Sequence, residues 1–115
     1  EQVDIIVDAA RMLESSTGDI QAMFAADCRF HTTILDATGN GMMRQLSPLI
    51  ATMLRLSYEI GLDQRPAEAV SRDGHSRVAA AIRQGHGAQA RQEMAKMLQL
   101  NRRDALAIRR QDQET

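Results

Sequence analysis

Between residues 19 and 37 the large apolar side chains recur at helical spacing, and two charged residues stand in the middle of their stripe. At about 100° per residue, Ile20, Met23, Phe24, Phe30 and Ile34 fall on one face of a helix. Asp27 and His31 straddle the centre of that face, and Arg29 points the opposite way. An acid and an imidazole inside a core stripe cost folding free energy unless a partner compensates them. The segment is therefore expected to be a helix packed against others, and its packed face must bring that compensation with it.

The rest of the chain reads in the same way. No segment alternates apolar and polar residues with period two, so strands are not expected. Two prolines and 3% aromatics, among many Ala, Leu, Met, Gln, Arg and Glu, suit helices. The breakers divide the chain into five of them. Val3, Ile6, Val7, Ala10 and Leu13 mark the first, which ends near Ser15-Ser16-Thr17-Gly18. Asp19 caps the second, which stops at Thr38-Gly39. Asn40 caps a third that runs to about Ile60, with Gly61 ending it and Pro48 predicting a kink or loosened turn. Residues 62–65 form a loop, Pro66 opens a fourth helix, and Gly85-His86-Gly87 closes it. A fifth runs from about 88 to 110, and the polar tail 111–115 should fray. Long helices joined by short loops favour an all-α antiparallel bundle.

The chain's 115 residues suffice for one domain, taken as residues 1–115. A net charge of −1 leaves no basic surplus with which this piece alone would hold nucleic acid. Cys28 is the only cysteine, so no internal disulfide forms, and a cytoplasmic location is expected. No apolar run is long enough to span a membrane, and no signal peptide is visible. The chain opens inside a helical pattern at Glu1, as expected of a piece of a longer protein.

Other helices also turn polar groups inward. Ser71 lies near the centre of the fourth helix's apolar arc of Ala67, Val70, Val78 and Ile82, and His75, one turn on, lies near Ile82. Asn101 sits within the fifth helix's arc of Ala90, Met94, Met97, Leu98, Ala105 and Ile108, and Ser57 faces inward from the third. One carboxylate and two imidazoles converging inside a bundle form a ligand set for zinc, nickel, manganese or iron. Plainer readings stand beside this one. Asp27–His31 also suits an ordinary i,i+4 helix pair. His75 suits a satisfied buried histidine, and Asn101 a partner for a backbone carbonyl. Met97 and the other methionines suit core filling. His86 suits a solvated turn, and Arg102, Arg103, Arg109 and Arg110 suit a solvent-facing surface near a helix C-terminus.

The string Ala26-Asp27-Cys28-Arg29-Phe30-His31, followed by Ile34-Leu35-Asp36-Ala37-Thr38-Gly39-Asn40, resembles a known signature. It is the D-x-x-F-H…A-[ST]-G-N pattern of the effector-binding (FCD) domain of FadR-type regulators in the GntR superfamily. Gly74-His75-Ser76-Arg77-Val78-Ala79-Ala80-Ala81-Ile82 resembles that family's E-H-x-x-[IL]-x-x-A-I segment. Gln84-Gly85-His86, Ala90 and Met94 resemble its G-D-x-x-x-A-x-x-x-M helix. The resemblance covers nearly all of residues 1–110.

It implies an all-helical antiparallel bundle around a small-molecule cavity, in many members with a divalent metal held by one Asp and three His. Asp27, His31 and His75 take three of those places by match to the motif. The fourth histidine falls at Met97, whose neutral thioether is a poor ligand for a borderline divalent ion. The implied site is then a three-ligand variant, with zinc the first expectation and nickel or manganese the others. Water or effector oxygens would complete it. Gly74 stands where the family has Glu, and His86 where it has Asp. The family's first helix and its DNA-binding winged helix-turn-helix domain are expected outside this chain. Members without the last histidine resemble galactonate-type sugar-acid repressors, in which the positions of Ser71 and Asn101 face the effector. Met97 and Arg55 complete the expected effector-binding set, although the helical wheel sets Arg55 opposite its helix's main apolar stripe.

The expected function is a non-enzymatic ligand-sensing domain of a bacterial transcriptional regulator. It would bind a small carboxylate, a sugar acid or hydroxy acid, at the metal and control DNA binding as a homodimer. A small metal-dependent hydrolase is the alternative, but no second inward acid or base is evident for it. A structural helical assembly module is the third reading.

Overall fold

The computed structural model describes the backbone of residues 1–16, 18–60 and 66–114. It describes their side chains apart from 66–72, 101, 104, 105, 108, 112 and 114. The regular structure is all helical: α1 (Gln2–Ser15), α2 (Ile20–Ala37), α3 (Gly41–Arg44), α4 (Ser47–Glu59), α5 (Pro66–Arg83) and α6 (Gly87–Glu114).

The helix ends follow from local chemistry. The Asp19 carboxylate accepts from the Ala22 N–H and starts α2. The Asn40 side-chain oxygen accepts from the N–H groups of Met42 and Met43 and starts α3. Gly85 ends α5 with φ of 75°. Its N–H reaches the Ile82 carbonyl at 3.0 Å and the His86 N–H reaches Ala81 at 2.9 Å, a paired closure that needs a left-handed residue between. The stop at Gly61 and the loop at 62–65 lie outside the described residues.

Two expectations are corrected. The single third helix is two, because Pro48 lacks an N–H and clashes with a preceding helical turn. It is tolerated only in a first turn, so the chain breaks at Gln45 and Leu46 and restarts with Pro48 in the opening turn of α4. The tail does not fray at 111. α6 runs on to Glu114, since nothing in that stretch breaks a helix.

α1 is the central element, packed against α2 on one side and α5 on the other; α2 also carries α3 and α4, and α5 carries α6. Ile6, Ala9 and Ala10 of α1 meet Phe30 of α2, Val78 and Ala79 of α5, and Met97 of α6 in one buried cluster. The alanines let three helices approach closely around the Phe30 ring. A second cluster joins Leu13, Met23 and Ala26, with Tyr58 of α4 against it. Ile20 and Leu98, expected on the apolar stripes, are 43% and 58% exposed. Ile20 is the first residue of α2, and Leu98 is turned about 100° from the buried Met97.

Phe30 is fully buried. Truncating a core Phe of this kind costs about 3–5 kcal/mol. Phe30→Ala is therefore expected to lose a large part of the chain's stability in urea denaturation. A loss below about 1 kcal/mol would show that the cluster collapses around the gap.

Candidate metal centre

α2 supplies two of the site's side chains one turn apart, so Asp27 and His31 project from the same face. α5 crosses near them through its contact with α1 and supplies His75. The three meet at one point. His31 Nε2 and His75 Nε2 each lie 3.1 Å from Asp27 Oδ1, and the two ring nitrogens are 3.3 Å apart. Asp27 and His75 are buried and His31 is half-buried. The Phe30 ring meets both imidazoles edge-on, with centroids 5.1 Å from His31 and 4.7 Å from His75. This contact limits the rotation of both rings.

The other carboxylate oxygen is also held. The Tyr58 hydroxyl of α4 donates to Asp27 Oδ2 at 3.1 Å. Phe24 packs edge-on against the Tyr58 ring at 5.5 Å. Burial alone raises the Asp27 pKa. Hydrogen bonds from His31 and His75, and the positive charge those rings can carry, outweigh it and hold the carboxyl well below the usual range. Asp27 is thus a buried anion facing two imidazoles.

The donor set fits a divalent ion. Adjacent ligands around an ion with bonds of about 2.0–2.1 Å lie roughly 2.9–3.4 Å apart at octahedral to tetrahedral angles. The three separations here fall in that window. Without a cation, both imidazoles can satisfy Oδ1 only by bringing two N–H dipoles to 3.3 Å of each other. A cation takes the same nitrogens as lone pairs. Among the described residues, Asp27, His31 and His75 form the one group of His, Cys, Asp or Glu placed to hold a metal.

The structure brings the three expected ligands together and adds a residue the sequence reading missed. Tyr58 is the chain's only tyrosine. It follows Ile50 and Leu54 at helical spacing on the side of α4 that meets α2, and a polar-tipped ring on an inward face was the available signal. Ser57, expected to face inward, is half-buried and donates to the Met53 carbonyl of its own helix. The side chains of Ser71 and Asn101 lie outside the described residues. Arg55 is exposed, yet close enough to Cys28 for its charge to act there. Burial pushes the Cys28 thiol up, the Asp27 charge adds to this, and Arg55 opposes it. Cys28 remains a protonated thiol beside the site and not a ligand in it.

Met97 is buried where α6 meets α5. A Cβ placed on Gly74 would meet Met97 Cγ at 2.6 Å and Sδ at 2.9 Å. The missing side chain at 74 thus makes the room that Met97 fills, directly beside His75. At the same junction Arg77 Nε donates to Glu93 Oε2 at 2.9 Å, and Lys96 approaches Glu93 from the next turn. The Arg77 hydrogen bond is the main reason the Glu93 carboxyl is held below its ordinary range.

Gly74→Ala is expected to cost about 1–3 kcal/mol through overpacking. Met97→Ala in the same chain should remove the clash. The double variant would then lose clearly less than the sum of the single losses, measured by a denaturation cycle. Additive losses would mean that the two positions do not compete for one space.

An all-helical bundle enclosing a carboxylate and two imidazoles defines a class of small helical binding domains. The family model for the FCD domain matches residues 1–100. The chain therefore belongs to the FCD family, the effector-binding domains of GntR/FadR-type regulators. Such domains often bind a divalent metal. No curated protein and no solved structure matches the chain. No described helix is long and apolar enough to cross a membrane.

Proposed function

We propose that this FCD domain senses a small carboxylate, a sugar acid or hydroxy acid, at a divalent ion held by Asp27, His31 and His75. The reading rests above all on the convergence of the three ligand atoms within 3.3 Å from two different helices. When bound, zinc, nickel or manganese supplies a Lewis-acidic centre for carboxylate oxygens, with zinc the first choice for two imidazoles and a carboxylate. The chain's own residues do the rest. Tyr58 orients the Asp27 carboxylate through Oδ2, and Phe30 fixes both imidazole planes. Ser71 stands one turn before His75 in α5, and Asn101 one turn after Met97 in α6, positions suited to the effector's hydroxyls. In this reading Met97 would offer the effector an apolar contact and Arg55, whose charge reaches Cys28, a cation from α4.

In this reading the domain is a non-catalytic part of a homodimeric regulator. Its effector favours one arrangement of the bundle and so biases a winged helix-turn-helix domain on DNA in the cytoplasm. The hydrolase alternative has less support, because the family is a regulatory one.

The metal part is tested on protein purified without chelator. Elemental analysis should give close to one divalent ion per chain, and His31→Ala should abolish it. Tyr58→Phe should keep the fold but weaken the ion by about 10–100-fold, because the carboxylate loses its orienting donor. A wild-type chain that takes up no zinc, nickel or manganese and gains no thermal stability from them would refute it.

For the sensor part, a thermal-shift screen of sugar acids and short hydroxy acids on the metal-loaded chain should yield a binder. At 100-fold excess over its dissociation constant it would add about 2.7 kcal/mol. The ligand should be recovered unchanged after prolonged incubation, and its turnover would favour the hydrolase. Unaltered affinity in both Ser71→Ala and Asn101→Ala would remove those residues from the effector site.

A further inference from the structure

Arg77 stands two residues after His75 in α5, so the two side chains leave the helix about 160° apart. Arg77 reaches α6, where the Glu93 carboxylate accepts from its Nε at 2.9 Å. Glu93 is buried, and Lys96 approaches its other oxygen at 3.6 Å from the next turn. Lys96, Leu100 and Arg103 then follow one another at intervals of four and three residues along one side of α6, with Gln99 beside them. Together with Arg77 and the buried Met97 they line a groove of about 240 Å³ between α5 and α6. Gly74 helps to open it. A Cβ at 74 would stand 2.9 Å from Met97 Sδ and 3.6 Å from the Arg77 guanidinium.

The groove carries surplus charge. Among the described residues, three cations line it and one carboxylate serves two of them, which leaves two positive charges over. The surplus is local, since the whole chain has a net charge of −1. Surface ion pairs contribute little, so Glu93 by itself does not account for three cations at one groove. Their mutual repulsion is relieved by an anion placed between them. The groove also has the parts of a small-molecule site. Met97 and Leu100 are apolar, Gln99 offers a neutral amide, and the two arginines present planar forks that match carboxylate and phosphoryl oxygens.

We infer that the α5–α6 groove is a second ligand site, for a small organic dianion: a phosphate monoester or a dicarboxylate with a short apolar body. Two negative charges match the surplus. Arg77, Lys96 and Arg103 hold the anionic group, and Met97 and Leu100 take the apolar body. None of Asp27, His31 and His75 lines the groove, so the inference does not rest on the sensor reading. Met97 also fills the space over Gly74, next to His75, so an occupant bears on the packing beside the metal centre.

Calorimetric titration tests this with phenyl phosphate and succinate, on the chain as purified and again after phenanthroline, a neutral chelator, has removed divalent ions. In both states one probe should bind with a dissociation constant of about 1 mM or below, and acetate, a monoanion, about tenfold more weakly. The tighter probe tells a phosphoryl from a dicarboxylate ligand. Arg103→Gln and Lys96→Gln should each weaken it about tenfold or more with the helical signal unchanged, since both side chains are exposed. Arg102→Gln removes the same charge next door, outside the groove, and should change the affinity less than about twofold. Full affinity in both groove variants, equal losses in Arg102→Gln and Arg103→Gln, or no binding of either probe below about 10 mM overturns the inference. So does a DNA duplex that binds through these residues when neither probe does. Affinity that vanishes with the divalent ion while the helical signal stays puts the anion at the metal centre, which overturns this inference and leaves the sensor reading standing.

Discussion

The fold is organised around one buried carboxylate. Asp27 takes two imidazole nitrogens on one oxygen and a phenol on the other, and these three donors come from α2, α5 and α4. A buried anion with these partners is stable, and the same anion with one removed is a strongly destabilising charge. The packing of α5 on α1 and the seating of α4 on α2 are what bring these donors to Asp27. The hydrophobic clusters around it supply most of the folding free energy but do not by themselves fix which polar atoms meet.

The apolar surroundings are fitted to that requirement. Phe30 fills the space among α1, α2 and α5 and presses edge-on against both imidazoles, so one side chain serves the core and the site together. At the α5–α6 junction, Gly74 yields its side-chain volume to Met97. A longer residue at 74 or a histidine at 97 would require a different packing beside His75. Gly74 and Met97, two of the positions at which the resemblance leads to other residues, are thus one packing feature seen from two helices.

Much of this was legible in the chain itself. The α2 stripe, the caps at Asp19 and Asn40, and the stop at Gly85 follow from short-range chemistry, and their positions agree with the structure to within a residue or two. The Asp27, His31 and His75 cluster was readable because i,i+4 spacing and an inward face are local properties, and the family motif joined the two helices. Tyr58 was not readable in the same way, because its partner lies 31 residues away and its own helix has two apolar sides. The break before Pro48 was expected as a kink. Its completion into two helices depends on how far Asn40 caps a separate turn, a competition that propensity does not resolve. The exposed apolar side of α4 went unnoticed because apolar periodicity indicates which residues avoid water, and in a helix with two apolar sides it does not tell which side the same chain covers.

α4 has two apolar sides. One delivers the Tyr58 hydroxyl to Asp27, and the opposite one carries the exposed Leu49, Met53, Leu56 and Ile60. A change at the site that alters the Tyr58–Asp27 contact acts on the seating of α4 against α2. Any resulting shift of α4 moves the exposed side with it, because the faces belong to one rigid helical turn. The lever is short. Tyr58 lies between Leu56 and Ile60 in sequence, so its phenol and the C-terminal end of the exposed side are less than one turn apart. Coupling between a ligand and a second contact requires that the ligand's interactions differ in free energy between two arrangements of an element both sites share. α4 is an element on which such a coupling could act, because its inner side hydrogen-bonds Asp27 through Tyr58 while its outer side is an exposed apolar surface.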